Sequence, residues 1–452
     1  MEQKIDFDTI SYSKDIKVVN LNATKDTSIP KEIWNAEFTS TGIVYGLYEF
    51  YKGWLIDDNY LDNVLSDSIQ VPSDSIKYAL DGFTLLRDKG EGRFVNINCF
   101  KCHSSQINDQ WVAGLGNTLM DYQKSKYLET QLYSAVHRLS SDKNHRSSEF
   151  SKLYKATVTA IQTANPMVNP AFRLEEASSV ILNPADLSIE NEDNEVVNLS
   201  LGSDVPPLWN TKYKKIYYHN GMGEGSLKKL AMQITLLGAN DTTVQRQNLQ
   251  MFDKIEQWIN TLEPPKYPGK LDSVLLDSGA KIYRSKCSKC HGKIEDGKLH
   301  YPNLVVPFNK IKTDSYYGMY MTTFSKLPEW YNKSWFATSE PSSRLNPKYG
   351  YLAPPLIGIW ASAPYFHNGS VPNLMGVLSS DQRPDYWEPV YEANNYETAG
   401  SEVGLKYQER TSKSGRFVYD TSIPGYANVG HYFSDKLSEQ QKRALLEYLK
   451  SL

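Results

Sequence analysis

The sequence predicts a mainly α-helical chain built as two tandem, related units with long loops and an N-terminal extension. Three observations predict it. The pattern Cys-x-x-Cys-His occurs twice, at Cys99-Phe100-Lys101-Cys102-His103 and at Cys287-Ser288-Lys289-Cys290-His291; a Pro-Pro-Leu block follows each; and an amphipathic stretch closes each unit. At ~100 to 200 residues per domain, a chain of 452 residues holds more than one compact unit. Few runs alternate with a period of two, so helix, long loops and small hairpins are expected.

The spacing of the repeated pentapeptide has a chemical reason. Two thiols three residues apart reach the two vinyl groups on one edge of a haem, and the adjacent His places an imidazole under the iron. Cys99, Cys102, Cys287 and Cys290 are therefore read as the tethers of two covalently attached haem c groups, and His103 and His291 as proximal iron ligands. The motifs consume all four Cys of the chain, so no disulfide is expected. The rival reading is a four-cysteine zinc site, whose pairs usually lie ~12 to 20 residues apart. Here Cys102 and Cys287 are 185 positions apart (287 less 102), and a His directly follows each pair.

The repeat is explicit. Pro206-Pro207-Leu208 leads to Tyr217 and His219-Asn220-Gly221, and Pro354-Pro355-Leu356 leads to Tyr365 and His367-Asn368-Gly369, with seven of sixteen aligned positions identical and no gap. Asn-Gly suits a turn that needs positive φ, so His219 and His367 are read as structural, close to haem propionates. Val244, Met251, Phe252, Ile255, Trp258, Ile259 and Leu262 recur at helical spacing, as do Leu445, Leu446, Leu449 and Leu452. Ser438-Glu439-Gln440-Gln441 is a capping-box start for the second closing helix, and the prolines of Glu263-Pro264-Pro265-Lys266-Tyr267-Pro268-Gly269 stop the first. The stretches 272–286 and 75–90 are read as short helices leading into the two motifs. The division expected is an N-terminal extension over 1–74 packing on the first domain through Trp34, Tyr45, Tyr48, Phe50, Tyr51 and Trp54, a first haem domain over 75–262 with the catalytic haem, a linker over 263–270, and a second, electron-transfer haem domain over 271–452. The fold class is thus mainly α, two tandem cytochrome c-type haem domains with long loops and an N-terminal extension.

Function turns on the sixth iron ligand, because a haem with two protein ligands passes electrons while a haem with one also binds oxygen or peroxide. With the closing helices aligned by their ends, 255–262 on 445–452, His431 falls opposite Asp241, whose neighbours 237–241 hold no His or Met. His431 is therefore proposed as sixth ligand of the C-terminal haem, with Met319, Met321, Met375 or no ligand as alternatives. The N-terminal haem is expected to be open, with Met120, His137, His145, His219 or Met232 as residues that would close it.

Composition excludes other classes. Formal net charge is −3 with both signs interspersed, so no basic stripe holds nucleic acid by counterion release. No run approaches the ~18 apolar residues of a membrane span. The first fifteen residues lack the basic end, apolar stretch and small-residue site of a signal peptide, although haem is attached outside the cytoplasm. A mature chain with an added or retained Met1, periplasmic or secreted, is expected.

The run Pro354-Pro355-Leu356-Ile357-Gly358-Ile359-Trp360-Ala361-Ser362-Ala363-Pro364-Tyr365-Phe366-His367-Asn368-Gly369-Ser370 resembles the signature of RoxA-like (rubber oxygenase-like) di-haem cytochromes, relatives of the bacterial di-haem cytochrome c peroxidases. Trp111-Val112-Ala113-Gly114-Leu115-Gly116-Asn117, Pro206-Pro207-Leu208-Trp209-Asn210, Ile311-Lys312-Thr313-Asp314 and the Gly-His-Tyr-Phe segment before the last helix support it, over roughly residues 75–452. The resemblance implies a catalytic N-terminal haem and a fully coordinated C-terminal one, with a His shortly before the last helix, which matches His431. By analogy with the peroxidases alone, calcium at the domain junction is a candidate cofactor.

The first functional hypothesis is an oxidoreductase, dioxygenase-like or peroxidase-like. Its N-terminal haem, on His103, activates dioxygen or peroxide; its C-terminal haem relays electrons; olefinic or other organic substrates and a small redox protein as electron donor are candidate partners. Peroxide cleavage needs an acid-base group, for which Glu175, Glu176 or His219 is available; an oxygenase wants an apolar pocket, for which Phe172, Leu174 and Val180 are available. The second hypothesis is an electron-transfer cytochrome with both irons saturated and no substrate. The third is a gas-binding subunit without turnover.

Overall fold

The computed structural model describes residues 17–19, 43–44, 83–88, 92–108, 110–118, 171–190, 199–237, 241–391, 394–415 and 417–452. The expected extension over 1–74, apart from strands Lys17–Val19 and Ile43–Val44, lies outside them.

The mainly α, two-domain fold class is overturned. Helix takes 40% of the chain and strand 16%, in many small sheets. The strands run from two to six residues, too short to leave a legible alternation in sequence. They form because long connections still have to pair their backbone N–H and C=O groups, and short ribbons do so between neighbouring segments. The stretch read as a helix before the first motif shows the error directly. It holds strand β1 (Phe83–Asp88), which turns back as β2 (Gly92–Ile97), with Phe83 opposite Ile97 and Leu85 opposite Val95. Positions two apart that are apolar in the sequence pair in register across the two strands, so a hairpin wins over a helix.

The helices that matter for the site are α1 (Phe100–His103), α2 (Ala171–Ser179), α3 (Thr242–Thr261), α4 (Ser273–Lys286), α5 (Ser288–His291), α6 (Tyr316–Thr323) and α7 (Glu439–Lys450). Asp241 caps α3 by accepting from the Thr243 N–H, and Asp272 caps α4 by accepting from Val274 and Leu275. The capping box of Ser438 and Gln441 opens α7. Beyond Leu262 the chain is extended through the prolines.

Each closing helix backs its own motif. Trp258 of α3 meets Phe100 of α1 edge to face at 6.4 Å. Helix α7 crosses α4, which runs straight into Cys287; the crossing is so close that a Cβ on Gly279 would lie 1.9 Å from the Ala444 carbonyl oxygen, and Tyr283 and Tyr448 pack at 5.0 Å beside it.

The repeat is a real structural duplication. Tyr217 pairs with Gly223 in one half and Tyr365 with Val371 in the other, so the same ladder brackets both His-Asn-Gly turns. Both turns put the residue before His in the left-handed region, Tyr218 at φ 66° and Phe366 at φ 70°, and both end on a left-handed glycine, Gly221 and Gly369. The halves also exchange contacts. The Asp204 N–H donates to the His367 carbonyl at 2.7 Å, and the Leu352 N–H donates to the His219 carbonyl at 2.7 Å. Strand Ser343–Leu345 of the second half pairs with Gly223–Gly225 of the first.

Candidate haem centres

The second motif is one turn of helix. The His291 N–H donates to the Cys287 carbonyl at 3.0 Å, which puts Cys287, Cys290 and His291 on one face. The Nδ1–H of His291 donates to the Pro354 carbonyl at 2.8 Å. That bond fixes the tautomer and leaves Nε2 with its lone pair for a metal. Burial lowers the His291 pKa. Burial and the neighbouring Cys290 push the Cys287 thiol up to about 11, so this position favours a neutral sulfur such as a thioether.

Opposite His291 stands His431, with ring centres 6.2 Å apart and planes at 59°. Two imidazoles that share one iron stand about 6 Å apart, since each metal–nitrogen bond is about 2 Å and the ring centre lies about 1 Å behind the nitrogen. The residues present therefore fit a haem iron between them. Burial, with the charges of His291 and Arg383, lowers His431 to about 3, so it is neutral and able to donate its lone pair.

The loop 425–431 that carries His431 is held from three sides. Asn368 donates its amide to the carbonyls of Gly425 and Ala427, both at 3.1 Å, while the Asp314 carboxylate accepts from their N–H groups. Arg383 donates Nη1 to the carbonyls of Asn428 and Gly430 at 2.6 and 2.8 Å, and its guanidinium lies 5.0 Å from the Phe366 ring, which itself lies 6.0 Å from His431. The His431 N–H donates to Ile311. Gly430, at φ +85°, is required there because a Cβ would sit 2.1 Å from the Thr313 nitrogen. Sequence reading missed Asn368 as a clasp, Asp314 and Arg383; the signal available for the first two was their place in the motif-rich segments 311–314 and 366–370, whereas Arg383 stands outside both and shows its purpose only in space.

The first motif has the same local form. The His103 N–H donates to Cys99 at 3.0 Å, and the Gly114 and Asn117 N–H groups close on the carbonyls of His103 and Cys102. Burial pushes the Cys99 thiol up to about 12 and lowers His103 to about 4. The Nδ1 of His103 is buried without a hydrogen-bond partner. Here too a buried, neutral imidazole beside two thiols fits a covalent haem.

The repeat position that borders His431 in the second half is filled differently in the first. Tyr218 occupies the repeat position of Phe366. Its hydroxyl accepts from Gln233 Nε2 at 2.6 Å, and Glu175 of α2 is among the charges acting on it. Burial pushes Glu175 up to about 8, and its Oε2 has no hydrogen-bond partner. Opposite His431 in the helix alignment, Asp241 is occupied as the cap of α3, the longer of the two closing helices. The sequence named Glu175 but not Tyr218 or Gln233, whose side chains meet only after folding.

The other named residues find plain duties. Glu176 is tied to Arg173, Tyr320 and Ser325. The Nε2 of His219 donates to the Asp204 carbonyl at 2.7 Å, and its ring lies 6.2 Å from that of His367. Met232, Met321 and Met375 are buried in the core, and Met319 is 38% exposed. Val180 packs against the core. Met120, His137, His145 and the side chains of Phe172 and Leu174 lie outside the described residues. Among the described residues no group of three or more His, Cys, Asp or Glu gathers to hold a metal ion, so the cysteine pairs do not converge and calcium finds no carboxylate cluster. Among the described residues no helix is long and apolar enough to cross a membrane.

Comparison with known proteins adds two relatives from Sinorhizobium fredii. The "Uncharacterized protein y4iJ" is 28% identical over 263 residues, covering 44% of this chain and 42% of its own length. The "Uncharacterized protein y4iM" is 22% identical over 254 residues, covering 51% and 56%. The chain spans about half the length of these relatives. Residues 350–388, which hold Pro354, the second His-Asn-Gly turn and Arg383, match the family described as RoxA-like, cytochrome c-like; the chain carries a RoxA-like cytochrome c-like domain there, and with it the expectation of haem c.

Proposed function

We propose that this chain is a di-haem c-type cytochrome oxidoreductase. One haem is held by Cys99, Cys102 and His103 and is open to dioxygen or peroxide. The other would be held by Cys287, Cys290 and His291 with His431 as a second protein ligand, and would relay electrons. The observation that carries the reading is the difference between matched positions: Phe366 borders His431 in the second half, whereas Tyr218 borders Gln233 and Glu175 in the first.

A haem bound on His103 supplies the iron that takes the oxidant and exchanges electrons with it. His103, kept neutral at physiological pH by burial, would hold the iron through a ring nitrogen. Burial raises Glu175 to about 8, so at neutral pH it keeps its proton, the form that a general acid needs. Gln233 fixes the Tyr218 hydroxyl, so the polar groups of this side are oriented before any oxidant arrives. In the second half Asn368, Asp314 and Arg383 hold the loop of His431 rigidly, which suits a group that changes charge with little movement.

The test is optical and paramagnetic resonance spectroscopy of the purified protein, oxidised and reduced, with and without carbon monoxide. One high-spin and one low-spin haem, with carbon monoxide taken up by about half of the haem, is the expected result. Two low-spin haems that refuse carbon monoxide overturn the catalytic reading and leave an electron carrier.

A further inference from the structure

We propose that a basic cleft beside the second Cys-x-x-Cys-His segment is the docking surface for an acidic one-electron carrier protein. The proposal rests on the reading of the second haem as an electron relay. The cleft has a volume of about 810 Å³ and is lined by Lys212, Lys215, Lys289, Lys293 and His300 around Tyr301. Among the described residues no Asp or Glu lines it, in a chain whose net charge is −3. Lys212 and Lys293 have carboxylate neighbours in Glu263 and Glu295, while Lys215 and Lys289 are exposed.

Two features tie the cleft to the haem. Ser288 and Lys289 on its wall are the residues between the two tethering cysteines. On its floor Tyr301 donates its hydroxyl to the Ala353 carbonyl, and the next residue, Pro354, accepts from His291 Nδ1 at 2.8 Å. Two hydrogen bonds and a short stretch of backbone therefore connect the floor to the iron ligand. Leu299 and Pro302 add apolar surface within the basic lining. Such a patch suits a brief encounter: weak electron-transfer complexes bury less than about 1,200 Å², and opposite charge raises their on-rate by roughly 10- to 1,000-fold at low salt. In the exchange one electron passes between the carrier and the haem iron, one partner being oxidised and the other reduced, with no bond made or broken.

The test uses the full haem-loaded protein, reduced and mixed in stopped flow with oxidised plastocyanin, an acidic copper protein, and separately with the cation tris(phenanthroline)cobalt(III). In the first reaction the haem is oxidised and Cu(II) is reduced to Cu(I). The double variant Lys215→Glu, Lys293→Glu, at two exposed positions, is expected to slow the plastocyanin reaction about tenfold or more at low salt. It should leave the cobalt reaction unchanged or faster, and salt should slow plastocyanin only with the native protein. A variant that reacts with plastocyanin as fast as the native protein, while the cobalt reaction proceeds normally, overturns the docking surface alone. A protein whose spectrum lacks the second haem, or whose second haem gives no electron to cobalt, overturns the relay reading and the docking surface with it.

Discussion

The rings of His291 and His431 face each other at 6.2 Å, although 140 positions of sequence (431 less 291) separate them. The Pro354 carbonyl holds one ring by its outer nitrogen, and the clasped loop 425–431 places the other.

Removing the second ring should open the second haem. His431→Ala is expected to abolish the low-spin signal of that haem and to raise carbon monoxide uptake of the reduced protein from about half to nearly all of the haem. Uptake unchanged in this variant would assign the ligand elsewhere.

The loop can be disturbed without touching the ligand. Gly430→Ala places a Cβ 2.1 Å from the Thr313 nitrogen at φ +85°. A loss of about 1 to 3 kcal/mol and a partly high-spin second haem are expected. Gly297 is also left-handed, but nothing lies within 4 Å of its would-be Cβ. Gly297→Ala should cost no more than about 1 kcal/mol and leave the spectrum as it is. Denaturant titration with absorbance detection separates the two.

Glu175 makes stability depend on pH with a definite sign. Burial raises its folded pKa from 4.5 to about 8, so between those values the unfolded chain has released a proton that the folded chain keeps. Stability therefore falls as pH rises across that window, and the loss is complete above it. Glu175→Gln should flatten the slope, gain about 2 kcal/mol at pH 9, and slow peroxide turnover at pH 7 about 100-fold. A native slope in the variant would show that Glu175 does not titrate there.

The crossing of α4 and α7 should be intolerant of added volume. Gly279→Val is expected to cost about 2 kcal/mol or more, because the nearest obstacle is the Ala444 backbone carbonyl and cannot rotate away. Thermal melting followed at the haem band reads this directly.

The sequence was most legible where chemistry demands adjacency. Cys, Cys and His must be contiguous to grip one haem edge, and the closing helices bury enough consecutive turns to show a period. The helix before the second motif was readable for the same reason. The hairpin of β1 and β2 was misread because six-residue strands show only two or three apolar alternations, which a helical pattern imitates. Gln233 and Tyr218, fifteen positions apart, acquire meaning only through a contact, and no local pattern announces that. His431 is singled out by the duplication: a copy with a His and a copy without one is a difference that a single sequence can display.

The reciprocal hydrogen bonds at the centre have a consequence for how the halves could diverge. Asp204 reaches His367 as Leu352 reaches His219, positions displaced by the same 148 (352 less 204, 367 less 219), which is the pattern of an isologous contact between two copies of one ancestral protomer. Near such an axis neither copy is free to drift, since a residue altered in one turn also deforms the other. The His-Asn-Gly residues are accordingly the same in both copies, and the copies part company at the residue just before them and at what that residue meets, Phe366 beside a histidine loop in one and Tyr218 with a glutamine and a glutamate in the other.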